Sequence, residues 1–115
     1  MSHLRSLRVW MATALLAAGL AAVPAMAAAE TFTGKVSDTM CGAKHQEGVP
    51  PADCVRACIK HGANYALVVG DKVYTLDTSD EAARAELNKL AWEQAKVTGT
   101  ANGDTISVKS VRPAK

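Results

Sequence analysis

Every cysteine of the chain, and two of its three histidines, lie in the segment CGAKHQEGVPPADCVRACIKH, from Cys41 to His61. Thiol and imidazole groups gathered so closely suit three kinds of chemistry. Cys41, Cys54 and Cys58 with His45 or His61 would give four soft ligands for Zn2+ or Cu(I). Cys41 paired with Cys54 or with Cys58 would make a disulfide, the usual fate of thiols in an oxidising compartment. The cysteine left over by such a bridge would then need a metal, an intermolecular partner or a reaction of its own. A reactive thiol is the third option. Cys54 is expected near a helix N-terminus, where the helix dipole favours the thiolate.

The spacing narrows these options. On a helix turning about 100° per residue, Cys54, Cys58 and His61 lie within roughly 60° of one another, on one stripe. Arg56 and Lys60 take the opposite side, and Val55 and Ile59 form an apolar strip that would dock the helix. Cys41 and His45, spaced C-x3-H in the preceding loop, would close over the same point. Haem attachment requires C-x-x-C-H, which is absent, and an iron–sulfur cluster usually takes a fourth cysteine. Met40 offers a thioether that Cu(I) would accept, although a methionine is more often filler.

The elements that must hold this segment follow from the rest of the chain. A basic opening, MSHLRSLR, leads into the uncharged apolar run VWMATALLAAGLAAV and then PAMAAAE, where Ala25 and Ala27 satisfy the small-x-small cleavage pattern. Residues 1–27 are therefore expected to be a secretory signal, cut after Ala27 or Ala29, leaving residues 28–115 as one small domain with no membrane span. Its place would be periplasmic or extracellular. Arg5 and Arg8 leave with the signal, so the thirteen basic residues fall to eleven, matched by eleven acidic ones. A neutral domain with few aromatic residues speaks against a nucleic-acid partner.

Within 28–115 the alternation of TFTGKVSD predicts a first strand, and NYALVVGDKVYTLD predicts two strands turned at Gly70-Asp71. Asp53 is expected to cap the helix CVRACIKH, with Gly62 ending it and the paired prolines ahead of it held extended. Thr78 and Glu81 form a capping-box pattern for SDEAARAELNKLA, whose Ala83, Leu87, Leu90 and Ala91 share a face. A closing hairpin is expected to turn at Asn102-Gly103. Five strands, with a Cys-bearing helix after the first and another helix between the third and fourth, make a mainly β chain. The expected fold is an OB-like Greek-key barrel, the alternative being an open α+β sheet.

The stretches SDTMCGAKH, CVRACIKHGANYALV, GDKVYTL and VTGTANGDTISVKSV together resemble a group of small exported bacterial proteins with an OB-like domain, over nearly all of residues 28–115. The resemblance implies fold and export, and it brings no reaction with it. Tyr65 and Tyr74, on the strands with which OB barrels bind ligands, are expected in packing roles. Asp77, Asp80 and Glu81 fit a solvated helix start better than an acid pair. No hydrolase triad, phosphate loop or two-carboxylate pocket is present. The expectation is thus a monomeric, non-enzymatic binding module for an envelope protein, glycan or metal ion, stapled by a disulfide or loaded with Zn or Cu. The alternative is a thiol-dependent redox or metal-transfer protein using Cys54 or Cys58.

Overall fold

A computed structural model describes residues 28–115; the expected signal, residues 1–27, lies outside the described residues. The chain forms β1 (Glu30–Asp38), α1 (Pro51–Lys60), β2 (Tyr65–Val69), β3 (Lys72–Asp77), α2 (Glu81–Lys89), β4 (Gln94–Asn102) and β5 (Thr105–Pro113). This is the expected order of elements. Among the described residues no helix is long and apolar enough to cross a membrane.

The strands pair in the order β1-β2-β3-β5-β4, and β4 returns to β1, so the sheet closes on itself rather than lying open. All neighbours are antiparallel except β3 and β5, which run parallel. Long β1 makes the closure possible. Its first half, Glu30 to Lys35, pairs with β4, and its second half, Lys35 to Asp38, pairs with β2. Gly34 lies where this division begins, because a Cβ there would collide with the Val68 carbonyl oxygen of β2. Alternating side chains point inward, and Val36, Leu67, Leu76, Val97 and Ile106 fill the interior with Leu87 of α2.

Several local expectations need correction. Helix α1 begins at Pro51, and Pro50 rather than Asp53 is its N-cap, with no side-chain cap. Proline is well suited to the first helical position, where its missing N–H has no partner in any case, and Pro50 ahead of it stays extended at φ −57°, ψ 131°. Asp53 is instead in the first turn. The expected stop at Gly62 holds: Gly62 takes φ 99°, its N–H reaches Ile59 O, and Ala63 N–H reaches Cys58 O, a Schellman ending. Helix α2 starts at Glu81, with Asp80 Oδ1 accepting from Ala82 N, while Thr78 Oγ1 only accepts from Asp80 N. Asp80 is nearer the helix and caps it, so no Thr78–Glu81 box forms. The second hairpin turns one residue later than expected, because Asn102 still pairs with Thr105 and leaves Gly103-Asp104 as the loop. Both hairpins therefore turn on Gly-Asp, with positive φ at Gly70 and Gly103.

Helix α1 is held at two places. Val55 is fully buried in the core and Ile59 packs against it, as the apolar strip predicted. On the other side, Arg56 donates from Nε and Nη2 to Asn88 O at 3.1 and 3.0 Å, a cation on the last turn of α2. Tyr65 is buried, and Tyr74 sits at a tilt on Phe32 with ring centres 5.4 Å apart. Tyr74 pairs with Leu67, so the two tyrosines are not cross-strand partners.

Candidate metal centre

The centre is assembled at the end of β1, where the chain leaves the sheet. Ser37 and Asp38 are both fully buried. Asp38 Oδ1 accepts from the N–H groups of Met40 and Cys41, each at 2.9 Å, and Asp38 O accepts from Gly42 N at 2.9 Å. One carboxylate thus shapes the turn that presents Cys41, and Gly42 supplies the φ of 60° the turn requires. The base of the excursion is closed by Thr39 N–H on Asn64 O and Asn64 N–H on Thr39 Oγ1. Helix α1 then brings Cys54 and Cys58, one turn apart, over Cys41.

Cys41 Sγ lies 3.7 Å from Cys54 Sγ and 3.9 Å from Cys58 Sγ. Both separations far exceed the roughly 2.05 Å of a disulfide, and all three residues are free cysteines. Two thiolates on one tetrahedral Zn2+, each at about 2.3 Å, stand about 3.8 Å apart. Ligand atoms of Cys41, His45 and Cys54 lie within 4.8 Å of one another, as do those of Asp38, Cys41 and Cys58. Cys41 belongs to both groups.

The hydrogen bonds around His45 determine its tautomer. Ser37 Oγ has one hydrogen, which goes to the carbonyl oxygen of Gly42, an atom able only to accept. The contact of 3.2 Å between Ser37 Oγ and His45 Nε2 therefore requires Nε2 to donate. In the neutral ring the free lone pair is then on Nδ1. It is buried and has no hydrogen-bond partner. A buried lone pair without a donor is costly unless a cation uses it. The ring is steadied by Trp92, which meets it edge to face at 4.3 Å. Trp92 has φ 60°, unusual for so bulky a residue, and is fixed there by its N–H on Val36 O at 2.7 Å.

No match to this chain is found among protein-family models, curated proteins or solved structures.

Burial raises the pKa of Cys41, with the hydrogen bond to Cys54 adding to the effect. Burial also pushes the Cys58 thiol up to about 12, helped by its contact with Cys41 and by the charge of Asp38. Without a cation these two thiols hold their protons at neutral pH, which is unfavourable for a nucleophile. His61 is in neither group of ligand atoms. Helix α1 ends at Lys60, and His61 is its exposed C-cap, with its N–H on Ala57 O and Cys58 O. Met40 is 64% exposed beside Cys41. Reading the sequence missed Ser37, Asp38 and Trp92. Only Asp38 left a signal, as an Asx-turn former three residues before Cys41.

Proposed function

We propose that residues 28–115 are an exported, non-enzymatic, OB-like binding module whose Cys/His segment holds a soft metal ion at Cys41, His45 and Cys54, with Cys58 also close to Cys41. The observation that carries this reading is the buried, unpartnered Nδ1 of His45, a residue whose ring offers a ligand atom within 4.8 Å of two sulfurs that stand 3.7 Å apart. Two thiolates and a neutral imidazole balance the charge of one Zn2+, whereas Cu(I) would leave a negative charge in a buried site. Zn2+ is therefore the better fit.

The ring order of the strands, with its single parallel contact between β3 and β5, supports the OB-like reading. Export is supported by the character of residues 1–27. In the periplasm or outside the cell, the module would act as a monomer on an envelope protein or a glycan. The short approach of Cys41 to Cys54 favours a second reading for the metal-free state, in which a thiol oxidant of the compartment takes two electrons and two protons from these two, joins them and leaves Cys58 as the odd thiol.

Native mass spectrometry and alkylation of the reduced, chelator-stripped protein test the metal reading. Zn2+ is expected to bind and to protect Cys41 and Cys54 from alkylation. Three freely alkylated thiols and no bound Zn2+ or Cu(I) on titration would refute it. Intact mass of the exported protein, lower by two hydrogens in the absence of metal, would identify the oxidised form.

A further inference from the structure

We infer that Asp38, Cys41 and Cys58 form a second cation position beside the first, with the Cys41 thiolate common to both, so that the loaded protein holds two divalent ions of the zinc class. This inference rests on the metal reading above and extends it to a residue outside the Cys/His set. Asp38 is fully buried, and its two oxygens differ in their use. Oδ1 holds the turn through two N–H groups. Oδ2 is buried with no partner. An oxygen of Asp38 and the sulfurs of Cys41 and Cys58 lie within 4.8 Å of one another, a spread that one ion can span.

The arrangement of the sulfurs favours two positions over one. Cys54 and Cys58 each approach Cys41, at 3.7 and 3.9 Å, but they fall in different ligand groups. A single ion with three cysteines and His45 would require them to converge. The charges agree with the same division, since ligating groups must give up their protons. Cys41, Cys54 and neutral His45 balance one divalent ion. Cys58 and Asp38 then add two negative charges, enough for a second. The first ion alone would leave the buried Asp38 carboxylate without a countercharge. Loading two ions onto the three thiols releases three protons to the buffer, and no electron is transferred.

The test is the zinc content of the reduced, chelator-stripped protein titrated with Zn2+ and read by native mass spectrometry. Two ions are expected in the wild type, and one in Cys58→Ser and in Asp38→Asn. Asparagine keeps an oxygen for the Met40 and Cys41 N–H groups, so the turn survives while the second oxygen becomes a non-ligating amide. A wild-type content of one ion would overturn the second position and leave the first standing. Two ions retained by Asp38→Asn would overturn the role of Asp38. No bound ion would overturn both readings. The wild-type count does not depend on the folding of any variant.

Discussion

At the scale of single residues, the centre depends on groups that are not themselves ligands. Ser37 fixes the His45 tautomer by giving its own proton to Gly42 and receiving one from Nε2. Partners of this kind typically contribute 10- to 100-fold in metal affinity. Ser37→Ala is accordingly expected to weaken Zn2+ binding about 10-fold or more, by competition with a chromophoric chelator, while the circular dichroism of the sheet is retained. The thiols bring a pH dependence whose sign is definite. Cys58 has an ordinary value of 9.0 and is pushed up to about 12, so the folded, metal-free protein keeps a proton that the unfolded chain loses. Stability from this source is unaffected below pH 9 and falls as pH rises from 9 towards 12. Thermal melts of the reduced, metal-free protein should show that fall, and Cys58→Ser should reduce it. Zn2+ affinity, by contrast, should drop on acidification, because protons compete for the same sulfurs. Cys41, His45, Cys54 and Cys58 were legible because residue type and closeness in sequence were enough to nominate them, although the same argument nominated His61, which lies in neither group. Ser37 and Trp92 were not, since a hydroxyl and an indole acquire their roles only when β1 and the chain after α2 are brought together at Val36.

At the scale of elements, hydrophobic periodicity carried nearly everything. It placed both hairpins, both helices and the buried face of α2. It failed at boundaries, where the competing candidates were chemically alike. Asp80 and Thr78 can both cap a helix, and the residue adjoining the first turn does so; Gly103 with Asp104 forms a turn as readily as Asn102 with Gly103. Pro51 restricts the residue before it to extended backbone and is itself suited to the first helical turn, and the helix uses the second property. The closed ring could not be read from any one strand, since it depends on β1 serving two neighbours along its length. Gly34 is where that service is most exacting. Gly34→Ala would drive a methyl group into the Val68 carbonyl, and a loss of roughly 3 kcal/mol is expected in urea denaturation. The pin between the helices is weaker, because Arg56 is partly exposed. Arg56→Ala should cost about 1 kcal/mol by the same measurement, with α1 still docked through Val55.

At the scale of the molecule, α2 anchors the interior, and Leu87 is its fully buried side chain. Leu87→Ala should destabilise by about 3 kcal/mol in equilibrium unfolding, the usual cost of emptying a leucine site in a packed core. The ring and the centre also differ in how far along the chain their parts are spread. The ring requires β1 to find β4, which means Phe32 meeting Val97 across most of the described sequence. Such distant pairing is slow to form. The ligand atoms of both groups, by contrast, all come from residues 38 to 58. A chain emerging amino end first therefore presents a complete set of ligands before the strands that seal the barrel have appeared, and an ion captured then would serve as a temporary clasp around which the later strands assemble.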